Sequence, residues 1–466
     1  VKRPLSLSRG RRTATRATRT ARTATRTART ATRTARTATR TARTATRTAR
    51  TATRTTPRAA ARTALRAAGA ACLALAVAGC SALGSGDGGA DDAQGGGGRS
   101  FTVAAAGDVL IHPPLTEQAR KDAGAGGAGG ELDFGPLMAG VKPVISKADL
   151  AICHMEPVIA EKGGPYEGFP DFQVPPEIAT TLKDIGYDTC STASNHSIDH
   201  GAAGVKRTLD TLDAAGLPHT GSARSEAEWR KPLITEVKGV KVAQLSFAFG
   251  FGSDKVPADK PWLVNKTSFK AIADAEKRAR AAGADVVILS IHWGREHHSA
   301  PSSPQMKLAR RITEKTGIDL VVGHHAHVVQ PMEKINGTWV AYGLGNQVAR
   351  HEVPSGQSEE GVIGWFTFTE RNGEWDVRAR YVPTFVDVPP APEDPGAPDK
   401  LPEGAVTDYR LLDVARALKD GESVDGKKYT EEQLARYRLA FDRTQGTVLN
   451  RGAVKDGLAA LEEPPS

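Results

Sequence analysis

Three histidines fall within four residues at His324-His325-Ala326-His327. They follow Ile318, Leu320, Val321 and Val322, an apolar run that reads as a buried strand. The imidazoles therefore stand at the C-terminal mouth of that strand, where open α/β sheets place ligands. Imidazole is the commonest metal ligand, and from an irregular turn two histidines one residue apart can face one ion. Four further groups of the same chemistry recur along the chain. Gly107-Asp108 is followed by His112, and His154-Met155-Glu156 comes next. Then come Ser194-Asn195-His196-Ser197-Ile198-Asp199-His200-Gly201 and His292-Trp293-Gly294-Arg295-Glu296. Taken singly, each fits an ordinary role: Asp108 in a turn, Glu156 in a surface loop, Asn195 as a helix cap. Five such groups at expected strand ends, all with oxygen or nitrogen donors, point instead to a divalent metal centre. Without a thiolate cluster, a cysteine-rich structural zinc site is excluded. The donors suit one or two ions of Mn, Fe or Zn. Two ions about 3.5–4 Å apart can clamp a phosphoryl group and activate water near neutral pH.

These groups need a scaffold that ends several strands together. Strands are expected at 101–108, 148–153, 187–190, 241–247, 285–291 and 339–342, and the run 285–291 is apolar enough to be buried on both faces. Helices are expected at 175–185, 201–215, 268–282 and 303–316. This alternation predicts an α/β domain over residues 100–388 with at least partly parallel sheets. Residues 389–403 carry six prolines and read as a linker. Helices are expected beyond it at 406–418 and 430–447, the second opened by a capping box of Thr430 and Gln433. This region, 389–466, reads as a helical appendage.

The first part of the 466-residue chain has a different character. Residues 11–56 are almost wholly Arg, Thr and Ala, with no apolar face to offset the entropy of ordering. Residues 1–56 read as a low-complexity leader, a translated simple repeat upstream of the true start. Over residues 57–80, Arg58, Arg62 and Arg66 precede a small apolar run that closes on Val77-Ala78-Gly79-Cys80. The run is shorter than the ~20 residues of a membrane span and has the build of a signal peptide. It resembles a bacterial lipobox. That implies lipidation at Cys80, an extracytoplasmic chain anchored to the cell membrane, and a flexible Gly/Ser-rich tether over residues 81–99.

The charge follows the same division. The chain has 62 Lys and Arg against 53 Asp and Glu, a net +9, but 20 of the basic residues lie at or before Arg66. Past the leader, 42 basic side chains face 53 acidic ones, a net −11. No basic stripe remains for nucleic acid. Beyond Cys80 two cysteines are left, Cys153 and Cys190. Both sit by expected strand ends, and the pair is open between a disulfide and two buried thiols.

In their order, these groups resemble the CapA family, associated with capsule and poly-γ-glutamate synthesis and itself similar to calcineurin-like metallophosphatases. The resemblance covers roughly residues 101–350. It rests on Ala106-Gly107-Asp108-Val109-Leu110, Met155-Glu156, the Ser194–Gly201 run, His219-Thr220-Gly221, His292–Glu296, Gly323–Val328 and Tyr342-Gly343-Leu344-Gly345-Asn346. It implies a four-layer α/β metallophosphatase-like sandwich with metals at the strand mouths. Asp108 and His327 would then hold one ion, Asn195, His292 and His325 the other, and Glu156 would bridge them. His196 would be the general acid. His112, His154, Asp199, Glu296 and His324 would support these groups. Two departures stand out. The phosphatase pattern has a histidine two residues after the first aspartate, where this chain has Leu110, with His112 out of register. Family members often have asparagine where His154 stands. The leading expectation is a metal-dependent hydrolase acting on a phosphoester, or an amide, in polymer metabolism. The rival is a non-catalytic assembly or tethering factor for an anionic surface polymer.

Overall fold

The structure is a computed structural model that describes residues 98–124, 132–251, 256–351, 355–389 and 406–463. The leader, the signal segment with Cys80, nearly all of the tether and most of the Pro-rich linker lie outside the described residues. Among the described residues, no helix is long and apolar enough to cross a membrane.

The chain enters through β1 (Ser100–Leu110), α1 (Pro113–Asp122) and β2 (Leu150–Met155). It continues through α2 (Glu177–Ile185), β3 (Thr189–Ser191), α3 (Gly201–Ala214) and β4 (His219–Thr220). A second run comprises β5 (Leu233–Val237), β6 (Val240–Ala248), α4 (Phe269–Ala281), β7 (Val286–His292), α5 (Ser303–Lys315) and β8 (Leu320–His324). Next come β9 (Met332–Ile335), β10 (Thr338–Ala341), β11 (Asn346–Ala349), β12 (Glu360–Arg371) and β13 (Glu374–Asp387). The last part holds β14 (Arg410–Asp413), α6 (Val414–Asp420), α7 (Glu431–Val448) and β15 (Ala459–Ala460).

Two sheets result. The first has the order β14-β13-β12-β1-β2-β3-β4, with β11 also on β1 and β15 on β13; the second is β9-β10-β8-β7-β6-β5. Side-chain alternation explains how they stack, because successive residues of a strand face opposite sides. Val103, Ala105, Leu150, Ile152, Phe366 and Phe368 of the first sheet meet Val242, Val286, Ile288, Leu320 and Val322 of the second in one core. The alternate residues face outward. Ala104, Ala151 and Cys153 pack under Leu115, Ile178 and Leu182 of the helices. Val287, Leu289 and Val321 pack under Ile272, Ala279, Ala309 and Ile312. The architecture is thus a helix–sheet–sheet–helix sandwich, as expected. Local signals agree with it: Ser302 and Gln305 form a full capping box at α5, and Gly186 closes α2 at φ 112°.

The chain past the linker differs in part from expectation. The single helix expected over 406–418 does not form; instead Arg410–Asp413 adds an antiparallel strand beside β13, and only then does α6 begin. Leu411 and Leu412 are buried there, and the Asp413 side chain accepts the N–H of Arg416 as the cap. Burial at an open sheet edge has overridden helical propensity. The helix expected at 430–447 forms as α7, with the Thr430–Gln433 capping box.

Candidate metal centre

Parallel pairing brings the five groups together. β1, β2 and β3 run parallel, as do β6, β7 and β8, so their C-terminal ends share one edge. Register then fixes the neighbours: Asp108 lies beside His154, His154 beside Ser191, and His324 beside His292. Two glycines allow the close approach. A Cβ on Gly107 would meet the Gly345 carbonyl oxygen at 2.2 Å, and one on Gly323 the Tyr342 carbonyl oxygen at 2.0 Å. Beyond β8 the chain turns sharply. His325 (φ 86°) and His327 (φ 54°) both adopt the left-handed region, a strain of about 1–3 kcal/mol each that persists where surrounding structure enforces it. The turn places the His327 imidazole against Asp108 and Glu156 and the His325 imidazole beside His292.

Asp108 and Glu156 are fully buried. One oxygen of Asp108 lies 3.1 Å from His324 Nδ1; the other accepts the His325 N–H at 3.1 Å and lies 3.3 Å from His327 Nδ1. Burial pushes this carboxyl up, but the bonds to His324 and His327 outweigh it and hold it well below the ordinary range. Glu156 lies 3.7 Å from His327 Nε2 and 3.8 Å from His292 Nε2, and neither of its oxygens has a hydrogen-bond partner. Burial, aided by Asp108, raises it to about 7. His292 Nε2 is 2.8 Å from Asn195 Oδ1. Burial and neighbouring imidazoles push His292 well down and His325 to about 4, so both are neutral donors. His327 is raised despite its burial, because Glu156 and Asp108 both face it.

These residues fit a metal. A buried carboxylate with two unpartnered oxygens is costly unless a cation meets it. Glu156 is such a group, and His324 Nε2 and His325 Nδ1 are likewise buried and unpartnered. Donor atoms of Asp108, Glu156 and His292 come within 4.8 Å of one another, as do those of Glu296, His325 and His327. The expected ligands Asp108, Glu156, Asn195, His292, His325 and His327 therefore converge.

The supporting residues fall as follows. His196 Nδ1 donates to Asp199 Oδ2 at 2.6 Å, and the same oxygen accepts the Phe172 N–H. Burial lowers the His196 imidazole, but Asp199 and Glu156 more than offset it. His324 stands closer to Asp108 than a remote support would. His112 Nδ1 lies 3.0 Å from the Leu110 carbonyl oxygen and 3.2 Å from the Arg350 nitrogen, and its ring meets Phe172 edge-on. Glu296 is half exposed, 4.0 Å from His325 Nε2 at the rim. Cys153 and Cys190 face each other across β2 and β3 and are joined as a disulfide.

Sequence reasoning missed Asn346 and His351 as site residues. Asn346 Oδ1 lies 2.9 Å from His327 Nδ1, and its amide nitrogen lies 3.1 Å from His351 Nε2. Asn346 had a signal, since it closes one of the resembling motifs; His351 is isolated in sequence. A cleft of about 1220 Å³ opens over the centre, with Asn195, His196, His327, Arg350 and His351 in its wall.

The geometry defines a class: a layered α/β domain with a buried His/Asp/Glu/Asn centre under an open cleft. Residues 102–351 match the family of the bacterial capsule synthesis protein PGA_cap, and the chain belongs to that family. The PGA biosynthesis protein CapA of Bacillus subtilis is 34% identical over 182 residues, 37% of this chain and 45% of that protein. The capsule biosynthesis protein CapA of Bacillus anthracis is 31% identical over 176 residues, 37% of this chain and 42% of that protein. The matches thus span less than half the length of these relatives. Among solved structures, the calcineurin-like phosphoesterase YfkN of Bacillus subtilis aligns at TM-score 0.36 and 15% identity, over 60% of this chain and 90% of that one. The NAD nucleotidase NadN of Haemophilus influenzae aligns at TM-score 0.39 and 12% identity, over 75% and 61%.

Proposed function

We propose that this chain is a metal-dependent hydrolase, of phosphoesterase type, that serves the synthesis of an anionic capsule polymer such as poly-γ-glutamate. The observation that carries the reading is Glu156, a fully buried carboxyl group with both oxygens unpartnered, 3.7 Å from His327 and 3.8 Å from His292. Asp108, Glu156, Asn195, His292, His325 and His327 would hold one or two divalent ions, of Mn, Fe or Zn. When bound, these ions supply Lewis-acid activation of water and of the phosphoryl or carbonyl oxygen.

The chain's own residues do the rest. Asp199 holds His196 by Nδ1, which leaves Nε2 to carry a proton into the cleft and hand it to the leaving oxygen. Phe172 covers one face of this pair, with its ring centroid 4.7 Å from that of His196. The family supports the polymer context, and the lipobox-like segment at Cys80 supports a lipid-anchored, extracytoplasmic site of action.

The test is turnover of p-nitrophenyl phosphodiester and γ-glutamyl anilide probes by the metal-loaded chain. His196→Ala should lower kcat by roughly 10²–10⁴ with metal content unchanged. Metal uptake without turnover of any probe would instead favour the tethering role.

A further inference from the structure

His154 lies near the C-terminal end of β2, and no step of the proposed reaction uses it. It is buried, as are its partners Ser191 and His292. Both of its ring nitrogens are engaged: Nδ1 lies 2.8 Å from Ser191 Oγ, and Nε2 lies 3.0 Å from His292 Nδ1. Donor atoms of His154, His324 and Asp108 come within 4.8 Å of one another. With both nitrogens occupied, however, His154 has no lone pair to spare for an ion.

The bonds can run in either of two directions. The Ser191 hydroxyl lies 2.8 Å from His154 Nδ1 and 3.2 Å from the Cys153 carbonyl oxygen, so its one proton can go to either. If Ser191 donates to His154 Nδ1, His154 Nε2–H donates to His292 Nδ1, and His292 Nε2–H donates to Asn195 Oδ1 at 2.8 Å. If Ser191 donates to the Cys153 carbonyl, its Oγ accepts from His154 Nδ1–H, and His154 Nε2 accepts from His292 Nδ1–H. Only the second direction leaves the lone pair of His292 on Nε2, which faces Asn195 Oδ1 and, at 3.8 Å, Glu156 Oε1. An ion held by His292 Nε2 requires that lone pair and so selects the second direction.

We propose that His154 is a positioning residue, which with Ser191 locks His292 in the Nδ1–H tautomer and turns Nε2 toward the ion. The proposal rests on the metal reading above. The strands are set for it: His154 lies opposite Ser191, and one position earlier the Cys153–Cys190 disulfide ties the same two strands. Partners of this kind fix ring orientation and raise the basicity of the ligand.

The experiment is Zn²⁺ affinity of the full chain, read by competition with a chromogenic chelator, for wild type, His154→Leu, His154→Gln and Ser191→Ala. Leucine fills the space without an acceptor and should weaken binding roughly 10–100-fold. Glutamine can place its amide oxygen near the position of Nε2 and should restore most of the loss. Ser191→Ala removes only the hydroxyl; it should weaken binding less than leucine does, and it keeps the test open if the leucine variant does not fold. Wild-type affinity in His154→Leu or in Ser191→Ala overturns the proposal. So does a folded glutamine variant no better than leucine. A wild-type chain that binds no Zn²⁺ overturns the metal reading itself, an outcome distinct from those failures.

Discussion

Glu156 and Asp108 are both fully buried, yet their surroundings differ sharply. Asp108 is held by His324, His327 and a backbone N–H, whereas Glu156 has no hydrogen bond on either oxygen. An unpartnered buried acceptor costs about 1–3 kcal/mol, and more when charged. Glu156→Gln should therefore raise the melting temperature of the chain in EDTA, while abolishing the further rise that Mn²⁺ or Zn²⁺ gives the wild type. Scanning fluorimetry with and without metal reads both effects, and a wild-type metal response in the variant would contradict the role of Glu156. At this scale the ligand types are legible in the sequence, because His, Asp, Glu and Asn gathered at strand ends match the donor set of a divalent ion. Their individual partners are not. The contact of His154 with His292 spans 138 residues, and His351 reaches the centre from a loop with no pattern of its own.

The elements show what can and cannot be read from periodicity. β7 and β8 are apolar up to their terminal histidines, Ser290 apart, and are legible as buried strands; the βα rhythm supplies their order. The run at Arg410–Leu412 reads as helix because a three-residue stretch has no distinguishable period. Its fate is set by the free edge of β13, a tertiary fact. The same edge carries a testable charge. Asp387, at the end of β13, accepts the Tyr437 hydroxyl of α7 at 2.7 Å. Burial raises its carboxyl to about 6, the Tyr437 bond notwithstanding. A raised acid favours the fold fully below its unfolded value near 4, and that contribution is lost as pH rises through about 6. Asp387→Asn keeps an acceptor for Tyr437 without the charge. It should be more stable than wild type at pH 7.5, by on the order of 1–3 kcal/mol, with the advantage gone at pH 4. Urea titrations at the two pH values check this, and an advantage independent of pH would exclude a charge effect.

Across the molecule, one sandwich edge gathers ligands from both sheets, so the centre depends on the sheets being held together. The residues after the linker contribute to that. Leu411 packs in the core beneath the first sheet, Val448 and Leu458 extend the core between the sheets, and Arg436 and Arg443 bind Glu360 at the start of β12. A chain ended at residue 388 should lose cooperative unfolding and become sensitive to limited proteolysis; one that melts like the full chain would show that these residues are dispensable. The central claim is that the strand-end groups exist to hold metal. Its most direct test is the metal content of the purified full chain by mass spectrometry, beside the double variant His325→Ala/His327→Ala. One or two equivalents of Mn, Fe or Zn are expected in the wild type, with that metal lost in the variant. No stoichiometric metal after reconstitution, or equal metal in both proteins, would contradict it.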